Sequence, residues 1–241
     1  GATPGEDGST DGIAITLQEN VSDTDFTASG VYDFTITGNT IESDTDNLAG
    51  TIERGDKAEG IKFTINEGVQ NGTTNLTAVI ENNDIQTRIG DGSEFAVNEL
   101  AADGVVFDAN ITINNNRIVQ TNDNPVGSEN KDPRDLIKAT FGEDGEGSIT
   151  TGTFTITNNT VTSAAGAGDA FNYESLSTST SNIFKFKLEG NNFTAADDKD
   201  LKIIVPTGYL SISAPDGTTN FDAYLDSINT DAETEISGSP E

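Results

Sequence analysis

A short asparagine-centred motif occurs five times along the chain and constrains its fold more than any other feature. In each copy apolar residues alternate with polar ones, a Gly or Asn precedes the central Asn, and an apolar residue follows two positions later. The copies lie at 34–41, 78–85, 111–118, 154–161 and 186–193, and their central residues are Asn39, Asn83, Asn116, Asn159 and Asn191. Repetition at such intervals is typical of stacked architectures, in which a unit buries its apolar face only against its neighbours.

A second motif precedes each copy: an acidic residue, a linking residue that is usually small, and then two apolar residues separated by one position. It begins at Asp11, Glu59, Asp103, Asp135 and Asp169. A sixth instance at Asp200 is displaced by one residue, and such a slip would turn its side chains to the other face. Each unit is therefore predicted to run strand, connection, strand, bend, strand, loop, with an irregular last turn.

Stacking of these units predicts continuous apolar columns. One column contains Phe34, Ala78, Ile111, Phe154 and Phe186; the next contains Ile36, Ile80, Ile113, Ile156 and Leu188; the third contains Ile41, Ile85, Ile118, Val161 and Phe193. The Gly or Asn before each central Asn suits the left-handed backbone of a sharp bend. The central Asn side chains are expected to form a hydrogen-bonded ladder from unit to unit.

This pattern resembles the right-handed parallel β-helix repeat family, the pectate-lyase-like solenoids. The resemblance covers 11–193 well and 200–228 poorly, and it implies an all-β right-handed parallel β-helix of about five to six coils with long loop insertions. The expected organisation is a polar N-terminal segment at 1–10, the β-helix at 11–228 and an acidic C-terminal tail at 229–241. A β-sandwich with fortuitous Asn turns is the alternative, and it would not require matched columns.

Composition excludes several functional classes. The chain of 241 residues contains no Cys and no His, which removes disulfides, thiolate or imidazole metal sites and Ser-His-Asp catalysis. Its net charge of −29 argues against nucleic acid and anionic membranes as partners, and no apolar run is long enough to span a bilayer. The chain begins with Gly1 and contains no Met, so we expect a mature extracellular or cell-surface protein after signal-peptide removal. Trimming of a recombinant chain is the alternative.

The acidic residues suggest two roles. The first residues of the second motif would stack into a carboxylate column, and unit charges about 4.8 Å apart repel by about 0.9 kcal/mol even in water. Capping of turns by the Asp side chains, which would accept hydrogen bonds from backbone N–H groups, and bridging by cations both remain open. Acidic clusters in the predicted loops make Ca²⁺ a candidate ligand, with a solvated surface as the alternative. These weak metal candidates are Asp23, Asp25, Asp44, Asp46, Glu143, Asp144, Glu146, Asp197, Asp198 and Asp200.

No catalytic residues are predicted. Family members that cleave polysaccharides use aspartates on an exposed strand face, so the resemblance directs attention to the outward positions of the first strands. Asp108 is the only carboxylate found there, and glycoside hydrolysis needs a pair. Arg117 projects outward from a bend, where a surface ion pair explains it.

We therefore expect a structural subunit that assembles with copies of itself into an extracellular filament, sheath or surface layer. Open strand edges invite pairing, and no amphipathic capping helix is predicted at either end. The predicted assembly residues are Ala2, Asp11, Ile13, Ile15, Leu17, Phe221, Tyr224, Leu225 and Ile228. A polysaccharide-binding adhesin or phage-spike-like module, or a polysaccharide lyase or hydrolase, is the competing hypothesis.

Overall fold

The structure is a computed structural model of the chain, and it is described here for fourteen stretches. They are residues 12–18, 29–42, 60–67, 73–87, 92–99, 106–120, 135–141, 149–163, 168–175, 179–195, 199–206, 208–215, 217–229 and 234–237.

Strands account for most of these residues, and they recur in groups of three. The first group is β1 (Ile13–Gln18), β2 (Ser29–Thr37) and β3 (Thr40–Glu42), and the second is β4 (Ile61–Glu67), β5 (Thr73–Glu81) and β6 (Asp84–Thr87). The third is β7 (Ser93–Glu99), β8 (Val106–Asn114) and β9 (Arg117–Gln120), and the fourth is β10 (Ile137–Phe141), β11 (Ile149–Thr157) and β12 (Thr160–Thr162). The fifth is β13 (Phe171–Ser175), β14 (Ile183–Glu189) and β15 (Asn192–Thr194). The chain then forms β16 (Leu201–Ile204), β17 (Tyr209–Ile212), helix α1 (Phe221–Ile228) and β18 (Thr234–Ser237).

Each group adds one strand to each of three parallel sheets. Among the described residues, sheet A has the order β1-β4-β7-β10-β13-β16-β18, sheet B the order β2-β5-β8-β11-β14-β17, and sheet C the order β3-β6-β9-β12-β15. Every pairing between these strands is parallel. The predicted all-β class is therefore confirmed, with α1 as a short exception.

The three predicted apolar columns are confirmed residue by residue. In sheet B, Ile36 lies beside Ile80, and the register continues through Ile113 and Ile156 to Leu188. The columns that begin at Phe34 and at Ile41 are aligned in the same way. These side chains form one core with the inward residues of sheet A. Parallel pairing in matched columns contradicts the sandwich alternative, whose sheets are antiparallel.

Aromatic side chains occur in the first repeats of the core, where Phe34 meets Phe63, and are more numerous further along. Phe154 and Phe186 stack with their ring centroids 4.9 Å apart, and Tyr173 meets both rings edge-on from the facing sheet. Edge-to-face and offset contacts of this kind add about 0.5–1.5 kcal/mol per pair to the burial of the rings. These ring contacts join β11 and β14 of sheet B to β13 of sheet A.

The bends between sheets B and C have the predicted backbone. The residue before each of the five motif Asn residues has a positive φ: Asn82, Asn115 and Asn158 lie between 53° and 58°, while Gly38 and Gly190 lie near 70°. Asn and Gly are the residues that enter this region at low cost. The bend is therefore encoded locally, and the Asn that follows it is free to point inward.

Two sequence assignments of the first strands are wrong. The strand in sheet A of the third repeat is β7, which follows Asp91 and Gly92, so Asp103 does not begin that unit, and β8 is one continuous strand of sheet B. The pattern was hidden because Ser93 occupies an apolar position between Ile61 and Ile137. The sixth unit is not displaced, because Leu201 and Ile203 are in register with Phe171 and Tyr173 and are buried.

Candidate functional site

The candidate site is the pair of ends of the strand stack, because the predicted assembly residues that the structure describes lie there. Ile13 and Ile15 are on β1, at the edge of sheet A, and Leu17 lies on the same strand. Phe221, Tyr224, Leu225 and Ile228 lie on α1 at the opposite end. Ala2 and Asp11 fall outside the described residues, as do nine of the ten metal candidates: Asp23, Asp25, Asp44, Asp46, Glu143, Asp144, Glu146, Asp197 and Asp198.

The first repeat presents three strand edges together. Strands β1, β2 and β3 are each the outermost described strand of their sheets. Among their inward side chains Ile36 is buried, but Ile13, Ile15, Phe34 and Ile41 are half-buried, whereas their counterparts in the next repeat are fully buried. An edge of parallel backbone groups beside half-buried apolar side chains is suited to pairing with another strand.

The asparagine ladder differs at its two ends. Each buried Asn accepts two bonds at Oδ1, from the backbone N–H and the Nδ2 of the Asn one repeat earlier; for Asn116 these come from Asn83 and are both 2.9 Å long. Its own Nδ2 donates to the next Asn and to a carbonyl of the preceding repeat, Ile80 O for Asn116. Asn39 starts the ladder and donates both groups to Asn83.

The ladder has a sixth member that the motif analysis missed. Asn229 accepts from the N–H and the Nδ2 of Asn191, so it continues the series beyond the proposed domain boundary at 228. Its own N–H and Nδ2 both donate to Leu225 O, the last turn of α1. The last rung therefore uses its donors within the chain, and the helix ends the ladder.

Helix α1 caps the C-terminal end of the stack, contrary to the expectation that no capping helix would be present. Asn220 accepts a hydrogen bond from the N–H of Ala223 and starts the helix. Leu225 is fully buried in the core, and Phe221, Tyr224 and Ile228 are half-buried against it. The sequence signal was present in this spacing, because apolar residues at 221, 224, 225 and 228 follow the helical period. Leu225 consequently packs within its own chain and is not exposed to a partner.

Sheet A extends one strand beyond sheet B at this end. Strand β18 pairs with β16 and extends sheet A, while β17 is the last described strand of sheet B. Within residues that were expected to form an acidic tail, Thr234–Ser237 thus belong to the stack. Their burial alternates between half-buried Thr234 and Ile236 and exposed Glu235 and Ser237.

The described members of the carboxylate column act as caps between repeats. Asp135 Oδ1 accepts the N–H of Asp169 at 2.9 Å, and its Oδ2 accepts Asn172 Nδ2 at 2.8 Å. Asp169 repeats the pattern: it accepts the N–H of Lys199 at 3.0 Å and lies 3.5 Å from Lys202 Nζ. These contacts favour turn capping over cation bridging at both positions.

Asp200 is the one metal candidate that the structure describes. It is buried, and its carboxylate accepts the N–H of Ala195, so it links the residue after β15 to the residue before β16. This contact gives Asp200 a structural role. Across the stretches that can be described, three acidic side chains do not converge in an arrangement that could hold a metal ion.

The outward strand positions are where the catalytic alternative requires a pair of carboxylates. Val106 belongs to sheet B, and Glu94 takes the position between Lys62 and Lys138 on sheet A. The expectation that Asp108 is the only outward carboxylate is wrong, because Glu174 of β13 lies beside Thr140 on sheet A. Asp108 lies on sheet B between Asn75 and Thr151, so its nearest neighbours in the column are not carboxylates. Arg117 pairs with exposed Asp84 at 2.6 Å, in agreement with the predicted surface ion pair.

Three exposed apolar side chains escaped the sequence analysis. Val31 is 73% exposed, Tyr209 39% and Ile183 37%. The pairing register places all three in one outward column of sheet B, with Val31 in the first strand and Ile183 and Tyr209 in the last two. Asn75, Asp108 and Thr151 separate them. The strand alternation could have revealed Val31, which is apolar at an outward position next to inward Tyr32.

Comparisons with known proteins add nothing to this description. No helix in the described part of the chain is both long and apolar enough to cross a membrane. Searches against models of protein families, curated protein sequences and solved structures find no match.

Proposed function

We propose that this chain is a secreted, non-catalytic structural protein whose copies assemble into an extracellular filament, sheath or surface layer. We infer further that its three sheets wind as a right-handed parallel β-helix of about five to six coils. The regular A-B-C succession of strands supports this winding. So does the rule that connections between parallel strands of one sheet are almost always right-handed.

One observation carries the assembly proposal: three parallel strand edges lie at one end, next to half-buried apolar side chains. Soluble monomers usually blunt such edges with charge, proline or a covering element. In this chain α1 covers part of the other end. The chain is thus built asymmetrically, with one covered end and one end whose described edges are suited to pairing.

The net charge is compatible with ordered assembly. At −29 it disfavours irregular association, so copies would join only where strand pairing and apolar contact outweigh repulsion. Assembly should therefore become more favourable as salt screens the surface charge.

Negative-stain electron microscopy of the purified chain over a range of salt concentrations tests the proposal. We expect open-ended polymers whose length increases with protein and salt concentration. A uniform monomer or a closed trimer at every concentration would overturn it.

Deletion of residues 1–10 separates two routes of assembly. If a terminal segment inserts into a neighbour, the shortened chain should fold normally but fail to polymerise. Unchanged polymers would eliminate this route and leave direct pairing between the ends. Circular dichroism provides the control for folding.

Polysaccharide recognition is the second candidate function, and the outward face of sheet B favours it. Thr77, Thr112, Thr153 and Thr155 lie there with Asn110, so hydroxyl and amide groups dominate the middle of the face. Binding to a panel of neutral and acidic glycans, with cleavage assayed in parallel, tests this function. Binding by monomers or trimers that never polymerise would favour an adhesin or spike-like module, and cleavage would favour a lyase or hydrolase.

Calcium binding by the acidic loops stays a separate hypothesis. Calorimetric titration and melting curves in millimolar Ca²⁺ and in chelator test it. Identical curves and no heat of binding would eliminate it.

A further inference from the structure

We propose that β18 holds a place in sheet A that β1 of a second copy takes during assembly. In the junction, β1 of the incoming molecule would pair with β16, and β2 of the same molecule would pair with β17. This inference rests on the proposed function, because it specifies which edges join and in which register.

The unequal lengths of the sheets give the first reason. The first two strands of a repeat occupy the same level of the stack, as β1 and β2 do against β4 and β5. An incoming first repeat that seats its β2 on β17 must therefore place its β1 directly on β16. Strand β18 occupies that position in the free chain. The two strands thus compete for one edge.

Strand β18 fits the edge of β16 less well than β1 of an incoming copy would. Thr234 lies beside Leu201, in the column that Ile13 begins, and its Oγ1 is buried without a hydrogen-bond partner. A buried hydroxyl without a partner costs free energy, whereas an Ile at this position would bury only apolar atoms. The next inward residue is Ile236 in β18 and Ile15 in β1, so exchange retains that contact.

The outward column of sheet B gives a second, independent reason. When β2 follows β17 in the established register, Val31 of the incoming copy lies next to Tyr209, and Ile183 lies one strand further on. The three large apolar side chains that are exposed in the described residues would then form one continuous patch across the junction. Polar residues fill the rest of this column, so the apolar ones are found only where a junction would bring them together.

The inward side chains match across the same junction. Leu210 and Ile212 of β17 are already buried at the end that α1 partly covers, so α1 must give way together with β18. The two side chains would then lie beside Tyr32 and Phe34 of the incoming β2, as Phe184 and Phe186 lie beside them now. Tyr32 and Phe34 are half-buried at the open end and would become covered. The occupant of this end is therefore a second copy of the same chain, joined head to tail.

Engineered disulfides test the register, because the chain has no Cys of its own. The double variant Ala14→Cys/Lys202→Cys should form disulfides between copies, since the exchange brings these outward positions side by side at a distance that suits the bond. Within one copy the two residues are five strands, or about 24 Å, apart and cannot join. We expect a ladder of covalent multimers on a non-reducing gel. The two single variants are the controls. The Lys202→Cys control also measures the effect of losing the ion pair between Lys202 and Asp169.

The variant Ala14→Cys/Glu235→Cys separates exchange from simple addition. If an incoming β1 adds beyond β18, this pair cross-links and the first pair does not. That result would overturn the inference while leaving the proposed assembly intact.

Locking and removing β18 test the competition directly. Lys202→Cys/Glu235→Cys should join β18 to β16 within one copy and prevent polymerisation until a reductant is added. Truncation after residue 233 should lower the critical concentration about 10- to 100-fold, if β18 is released in roughly 1–10% of free molecules. Equal assembly by locked and reduced protein would overturn the inference.

Two exposed substitutions test the patch without disturbing the fold. Val31→Glu blocks one end of each copy and Tyr209→Glu blocks the other, so each variant alone should remain monomeric. Mixed together they should form 1:1 dimers and nothing larger, because one intact junction remains. Asn75→Glu, in the middle of the same column, is the matched control and should polymerise normally. Polymers formed by either single variant would contradict the role of the patch in the junction.

If neither the natural chain nor the truncated chain polymerises under any condition, the proposed function fails together with the inference.

Discussion

At the scale of the residue, the fold depends on one amide side chain per repeat. A buried Asn would be unfavourable without partners, but in Asn83, Asn116, Asn159 and Asn191 both the oxygen and the nitrogen of the amide are bonded twice. The same side chains satisfy the backbone N–H and carbonyl groups exposed by the bend. The Asn thus fixes the corner and the spacing of the repeats together.

Substitution of Asn116 by Ala should be strongly destabilising. It would remove four side-chain bonds between repeats and leave the N–H of Asn83 buried without its partner. We expect a loss of about 3 kcal/mol or more in the free energy of unfolding, measured by urea denaturation. Asn110→Ala, at an exposed position of sheet B, is the control and should change stability by less than about 0.5 kcal/mol. Equal effects at the two positions would contradict the role of the ladder.

Substitution of Ser93 by Ala should stabilise the chain. Ser93 interrupts an apolar column, is fully buried, and its Oγ has no hydrogen-bond partner. Removing the hydroxyl eliminates its desolvation cost, so the unfolding free energy should rise by about 1 kcal/mol. Ser213→Ala, at an exposed position, should have no measurable effect. A decrease for Ser93→Ala would mean that the hydroxyl is paired in solution.

At the scale of the element, the sequence predicted the strands of sheets B and C and their bends, because alternation and the Asn motif repeat without interruption. It failed where a local residue departed from the pattern: Ser93 concealed β7, and Asp200 suggested a slip that Leu201 does not show. Helix α1 does not follow from the repeat, which contains no helix, although Asn220 and the apolar spacing mark one. The assembly site was placed at the correct ends, but the exposed column of Val31 and Tyr209 follows only from strand register.

Substitution of Leu225 by Ala should loosen the covered end of the stack. Leu225 is the fully buried residue of α1, and truncation of a buried Leu costs about 2–5 kcal/mol. We expect lower stability in urea and faster hydrogen exchange of the Asn191 N–H, which Asn229 accepts. Asp226→Ala, on the exposed side of the same helix, is the control. A change below about 1 kcal/mol would show that the helix contributes little to the end of the stack.

At the scale of the whole molecule, most of the charged residues are separated from the apolar core. The chain has 41 acidic and 12 basic residues, and most of the acidic ones lie outside the described strands and helix. The described interior is mainly apolar, and its buried polar residues are the ladder, the two caps Asp169 and Asp200, and a few Ser, Thr, Asn and Gln side chains. Most of the negative charge therefore lies in the segments between the described strands and helix.

Thermal stability should consequently rise with salt. Repulsion among like charges opposes the compact state, and the screening length falls from about 10 Å at 0.1 M to about 3 Å at 1 M salt. Melting temperatures measured in increasing NaCl, with a neutral osmolyte as control, test this. A flat or falling melting temperature in NaCl would contradict it.

The bonds that join one ladder Asn to another all run in one direction, because each Asn donates its backbone N–H and one amide hydrogen to Oδ1 of the Asn in the next repeat. The molecule consequently has a chemical polarity along its axis, so its two ends differ. Any fibre made by head-to-tail repetition would inherit that polarity and have two unlike tips. Growth and shortening would then proceed at different rates at the two tips, and a single end-blocked copy could arrest one tip while the other continued to elongate.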